Sequence, residues 1–254
     1  MISSIEVLMK SLLTLFFLIN LNLLSFTPGK WSYLDRYSLG GEKSGPTGET
    51  VKNRTGQIVY SATYEYDADG KLSKEKFLNI KNEPDGEIVY TYENGKLKVE
   101  ELFAPDKSSQ EKKTFLYTQS GTLKEINVVL GNGKGLLRHR IYSMNDYFVM
   151  ECETKWEEEG GIESFSTKKD ILEENVLNQE IFDEKKKSIG FIKYYFDKKG
   201  RLEKRENIQG TSKRMQVLTY DEAGKLISFF FFFKQDENWV LVKSNYLTYT
   251  ERQK

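Results

Sequence analysis

A short pattern that returns about every 25 residues leaves this chain few choices: an aromatic residue, two or three linkers, a turn residue, any residue, and a leucine. Its clearest copy, Tyr66-Asp67-Ala68-Asp69-Gly70-Lys71-Leu72, lies within Ile58 to Leu78, a stretch that reads as one complete β-hairpin. Tyr60, Ala62, Tyr64 and Tyr66 share one parity and Ser61, Thr63 and Glu65 the other, the period of a strand with one buried face. Asp67 to Gly70 fits a type I turn whose fourth residue is left-handed, a conformation glycine adopts without a Cβ penalty. In that register Tyr66 faces Leu72, and such a pair contributes about 0.2 to 1 kcal/mol relative to an alanine pair.

Further copies follow at Tyr92 to Leu97, with a shorter Asn94-Gly95 turn, and at Tyr117 to Leu123, Phe196 to Leu202 and Tyr220 to Leu226. Two are degenerate: Tyr142 to Phe148 has Asp146 in place of glycine, and Phe165 to Leu172, with its turn at Asp170, carries one extra residue. A fixed period of this kind signals a repeat architecture. Between copies lie looser segments such as Glu83 to Gly86, Pro105 to Lys107 and Lys185 to Gly190. The expected fold is therefore all-β: an antiparallel meander of seven hairpins, about fourteen strands, in a large curled or two-layer sheet. Tight turns are expected along one edge and variable connections along the other. The repeat aromatics and leucines, from Tyr64, Tyr66 and Leu72 to Tyr220 and Leu226, are expected to line the buried face.

The sequence divides into three parts. Residues 1–28 contain Lys10 followed by an apolar run and read as a signal peptide or N-terminal anchor; export is the expectation, and no cysteine follows the run to take a lipid. Residues 29–57, rich in glycine and without a clear period, read as a linker or arm, and residues 58–254 as the repeat domain. Lys+Arg 38 balance Asp+Glu 38, so no field of one sign would draw in nucleic acid. Contact with a membrane is expected only through the N-terminal segment, if uncleaved. Cys152 reads as a small buried hydrophobe and His139 as a surface residue.

The last hairpin departs from the pattern. Phe229 to Phe233 are consecutive, and a strand apolar on both parities needs cover on both faces. Phe230, Phe232, Trp239 and Leu241 are the expected interaction surface.

Tyr66 to Leu72, Phe196-Asp197-Lys198-Lys199-Gly200-Arg201-Leu202 and Tyr220-Asp221-Glu222-Ala223-Gly224-Lys225-Leu226 resemble the tyrosine-aspartate (YD) repeats of bacterial rearrangement-hotspot proteins. The resemblance spans roughly Ile58 to Tyr249 and implies a ladder of β-hairpins on an exported protein. In large family members such repeats form a shell around a toxin cargo. The motif brings no catalytic residue.

The chain offers little for chemistry. His139 is the only histidine, which excludes histidine-rich metal sites and leaves no residue set to assign as catalytic, cofactor-binding or metal-binding. The expected function is that of a non-enzymatic structural or binding protein engaging a protein partner or a second copy of itself. Two alternatives stay open. One is a carbohydrate- or envelope-binding protein; the other is an outer-membrane barrel, against which Lys74 and Lys76 on the parity of Leu72 and Glu75 on that of Phe77 place charge on both faces.

Overall fold

A computed structural model describes residues 45–250 except 145–148, 159, 160, 174 and 184. The first eight strands are β1 (Gly48–Asn53), β2 (Ile58–Tyr66), β3 (Leu72–Leu78), β4 (Pro84–Glu93), β5 (Lys96–Phe103), β6 (Ser109–Tyr117), β7 (Leu123–Leu130) and β8 (Gly135–Met144). The second eight are β9 (Val149–Glu158), β10 (Gly161–Glu173), β11 (Val176–Phe182), β12 (Ser188–Phe196), β13 (Leu202–Gln209), β14 (Ser212–Tyr220), β15 (Leu226–Gln235) and β16 (Asn238–Thr248). Each pairs antiparallel with its sequence neighbours, and β1 pairs with β16, so the meander closes into a barrel. The all-β antiparallel meander expected from the sequence is what forms. Its curl completes itself, and closure removes the free edges that an open sheet would expose.

The turn chemistry follows the sequence closely. Gly70 has φ 82° and donates to the Asp67 carbonyl at 2.9 Å, while the Asp67 side chain accepts from the Lys71 amide at 2.7 Å. The same closure recurs at Asp197 to Arg201 and Asp221 to Lys225. Next to the turn the register shifts, so that Tyr66 opposes Leu72 but Glu65 opposes Lys74. Ser73 is thus an extra residue, and it flips the parity of the strand: Glu75 is buried, whereas Lys74 and Lys76 lie outside in ion pairs with Glu87 and Glu65. Charge does fall on both faces of β3, but by the opposite assignment to the one simple alternation gives.

The other end of the barrel is more regular than expected. Asn53 to Gln57, Asn79 to Glu83, Ala104 to Ser108, Leu130 to Lys134 and Asp183 to Lys187 all close with the same pair of backbone hydrogen bonds as the repeat turns. Their left-handed residues are Gly56, Asn82, Lys107, Gly133 and Lys186. Three of the five are not glycine, which hid the turn from a glycine-based reading. The segment Glu83 to Gly86 is correspondingly not a loop, because β4 starts at Pro84. Asp170 is not a turn residue either: it lies within β10 opposite Asn178, and the reversal comes after Glu173.

A contact between neighbouring repeats explains the whole motif. The hydroxyl of Tyr92 donates to the Leu72 carbonyl at 2.8 Å, Tyr117 to Leu97 at 2.8 Å, Tyr220 to Leu202 at 2.7 Å and Tyr249 to Leu226 at 2.8 Å. Over the same rings sit the cations that follow each glycine: Lys71 on Tyr92, Lys96 on Tyr117, Arg201 on Tyr220 and Lys225 on Tyr249, 4.5 to 5.6 Å from the centroids. Glycine makes the turn, the basic residue covers the next repeat's ring, and leucine supplies a buried side chain and an acceptor.

The closure of the barrel repeats this contact across the sequence ends. Tyr66 donates to the carbonyl of Pro46, 20 positions earlier, the same spacing as from Tyr92 to Leu72 and from Tyr117 to Leu97. Pro46 therefore stands where a repeat leucine stands. Three residues on, Glu49 accepts from Tyr64 just as Glu75, three after Leu72, accepts from Tyr90. β16 and β1 form an additional hairpin split between the two ends of the sequence, tied by Thr47 N donating to the Thr248 carbonyl at 2.7 Å. Residues 29–57, expected as an arm, thus contribute a strand of the wall, β1 at Gly48–Asn53.

Leu72, Leu97, Leu123, Leu202 and Leu226 are buried in one core with Tyr64, Tyr90, Ile192, Tyr194 and Phe229, and Tyr66, Tyr92, Tyr117, Phe196 and Tyr220 pack half-buried against it. A wide aqueous channel would leave the inward side chains wet. Leu72, Glu75, Tyr194 and Phe229 instead have 0% exposure, so at their level the interior is filled by side chains.

Candidate interaction surface

On β3 to β8 the outer face is charged. Lys74 and Glu87 lie 3.6 Å apart, Lys112 and Glu101 3.6 Å, Arg138 and Glu125 3.8 Å, and Arg140 and Glu125 3.6 Å, all across neighbouring strands. Exposed pairs of this kind add little stability, but they keep the mid-strand exterior solvated.

The outer face of β14 to β16 is different. Alternation puts Phe229 and Phe231 inside, ring against ring at 5.7 Å, and Phe230 and Phe232 outside. Register sets Met215, Phe232 and Leu241 in one row across three strands, and Val217, Phe230 and Ser244 in the next. Tyr246 meets Phe230 edge-on at 6.1 Å, with Lys52 over the Tyr246 ring at 5.0 Å. Trp239, opposite Lys234, lies one row beyond Leu241 on the same face, and Val242 stands out at a register shift. Phe230, Phe232, Trp239 and Leu241 are thus brought to one surface. The expected second layer over them is not found among the described residues, all of whose strands belong to the barrel wall.

Inside, the barrel holds polar groups that the sequence reading did not single out. Tyr64 donates to Glu49 at 2.6 Å, Tyr90 to Glu75 at 3.1 Å, and Tyr194 to Gln179 at 2.7 Å. Burial pushes the Glu49 carboxyl up from its ordinary value. Lys113 donates to Glu100 at 2.6 Å and lies 3.5 Å from Glu111; these carboxylates outweigh the cost of burial and hold its ammonium charged. His139 is not the surface residue expected: it is 7% exposed, and burial together with the Lys113 charge lowers its pKa to about 3. The available signal was position, since Glu75, Glu100 and Arg205 each lie three residues after a repeat leucine. Among the described residues no group of three histidine, cysteine or acidic side chains is placed to hold a metal ion. Cys152 pairs in register with Ile141; its side chain, the leader at residues 1–28 and Trp31 lie outside the described residues.

No family model and no curated protein matches the chain. Among solved structures it is similar to a porin-like protein from Bacteroides uniformis, with 10% identity over 82% of this chain and 98% of that one and a TM-score of 0.54. The shared feature is the β-barrel fold. A porin-like protein from Bacteroides vulgatus aligns at 9% identity over 82% of this chain and 99% of that one, with a TM-score of 0.34. The TcdB2-TccC3 structure aligns at 10% identity over 78% of this chain and 14% of that one, with a TM-score of 0.33. Neither of these last two carries an argument, and the YD resemblance rests on its sequence motifs.

Proposed function

We propose that the chain is an exported, non-enzymatic β-repeat scaffold that engages a protein partner through the outer face of β14 to β16. The observation that supports this reading is the contrast on the exterior: cross-strand ion pairs on β3 to β8, and the rows Met215-Phe232-Leu241 and Val217-Phe230 on β14 to β16. The partner argued for is a second copy of the chain, because a formal net charge of +0 provides no long-range repulsion between copies that share an apolar face. Export follows from the apolar run after Lys10.

A lipid-spanning barrel is disfavoured by the same surface. Lys74, Lys76, Glu101, Lys112, Glu125 and Arg138 sit on outer strand faces, and a lysine or arginine facing lipid at mid-membrane costs about 2 to 4 kcal/mol. Light scattering on the purified chain, alongside a Phe230→Ser/Phe232→Ser variant, tests the proposal. An oligomeric parent and a folded, monomeric variant support it. A parent that stays monomeric at high concentration, or an oligomer untouched by the substitutions, contradicts it.

A further inference from the structure

The inner wall of β13 to β16 differs from the rest of the interior. Register places Arg205, Gln216, Phe231 and Lys243 in one row and Asn207, Arg214 and Phe233 in the next. Gln216 is 2% exposed and both its amide atoms lack a partner; Asn207 Oδ1 and Gln209 Oε1 are buried in the same condition. Leaving such groups unsatisfied is costly unless they are kept for something else. Lys243 stands over the Phe231 ring at 4.7 Å, and burial lowers its pKa against the pull of Glu49. Burial also lowers that of Arg214. The inward carboxylates Glu49, Glu75, Glu100 and Glu111 belong to β1, β3, β5 and β6, and no inward-facing acid stands on β12 to β16 among the described residues.

The depth of the groups gives the cluster a direction. Gln216 and Asn207 are deep, Arg214 and Gln209 are half-buried, and Phe233 is 37% exposed near the barrel end formed by the short turns after β13 and β15. We propose that this wall is a binding site, open at that end, for a small carboxylate-bearing saccharide of the uronic acid class. Arg214 and Lys243 meet the carboxylate, the amides of Gln209, Asn207 and Gln216 meet hydroxyls, and the Phe231 and Phe233 rings take the apolar face of the sugar. Gln216 lies below the level of Arg214, so the sugar reaches it as the guanidinium turns to the carboxylate. A neutral sugar leaves the Arg214 guanidinium uncompensated, and a simple inorganic anion leaves the amides unused.

Calorimetric titration of the full chain with digalacturonate, galactose and inorganic phosphate tests this. Digalacturonate is expected to bind, with Arg214→Gln weakening it roughly tenfold or more, while galactose and phosphate do not. Gln216→Leu, which replaces an unsatisfied amide by an apolar group of similar size, is expected to fold and to lose affinity, providing a second variant should Arg214→Gln unfold. The outer-face variant Phe230→Ser/Phe232→Ser is expected to keep digalacturonate binding, so failure of the partner proposal leaves this one standing. Absence of digalacturonate binding, equal binding of galactose or phosphate, or full affinity in both inner-wall variants overturns the assignment.

Discussion

Tyr92 and Tyr142 occupy the same place in two copies of the repeat, yet one is half-buried on the core with its hydroxyl on the Leu72 carbonyl, and the other is 61% exposed with its hydroxyl 3.1 Å from Glu153. The copy before Tyr142 has Thr122 after its glycine, so no cation stands ready for the ring. Tyr142 also has the outward parity of Arg138 and Arg140, because His139 and Ile141 are the residues of β8 that face the interior. The tyrosine is therefore not buried by its own hydrophobicity alone. It is held by the preceding repeat's basic residue and leucine, and the motif is better understood as a joint between repeats than as a hairpin signature.

The largest expected effect concerns the interior next to the broken joint. His139, on β8, has a pKa of about 3 in the fold against 6.5 when unfolded, so below pH 6.5 the unfolded chain binds the extra proton. Stability should then fall with acid from about pH 6.5 towards 3, at up to about 1.4 kcal/mol per pH unit from this group. Denaturant titrations of His139→Gln should show a flatter profile across that window; an unchanged slope would place the histidine in water. Next, Tyr92→Ala should lose about 3 to 5 kcal/mol in equilibrium unfolding, while Tyr142→Ala should lose less than about 0.5. Similar losses for the two would erase the distinction.

The turns offer a finer test. A Cβ at Gly200 meets nothing within 4 Å, so any cost of Gly200→Val comes from the left-handed backbone at φ 74°. That cost is expected at about 1 to 3 kcal/mol, with Lys199→Val near zero, and equal melting temperatures would undo the turn assignment. Smallest is the hydroxyl alone: Tyr92→Phe should lose about 0.5 to 1.5 kcal/mol and Tyr142→Phe almost nothing, which denaturant midpoints can resolve.

Much of the wall was legible in the sequence because hairpins are local. Tyr66 opposite Leu72, the left-handed Gly70 and the outward Phe230 and Phe232 all follow from short-range pattern. Closure was not legible, since Gly48–Asn53 is too short and mixed to announce a strand, and its partner Lys243 to Thr248 lies at the far end of the chain. The parity flip at Ser73 was hidden because an extra residue next to a turn leaves no compositional mark. The interior polar rows were missed for a related reason. A charged residue on a second strand, such as Glu75, is ordinarily assigned to solvent, and only the tyrosine contributed by a neighbouring strand makes its burial tolerable.

The central claim, that the repeats close into a barrel through a hairpin split between the sequence ends, is tested most directly by hydrogen exchange of the amides in Gly48–Asn53 and Asn238–Thr248. If β1 and β16 pair, both strands should be protected to the level of β4 and β5 in the interior of the run. If the sheet were open, each would be an edge strand, and about half of the amides in both would exchange as fast as those of the turns.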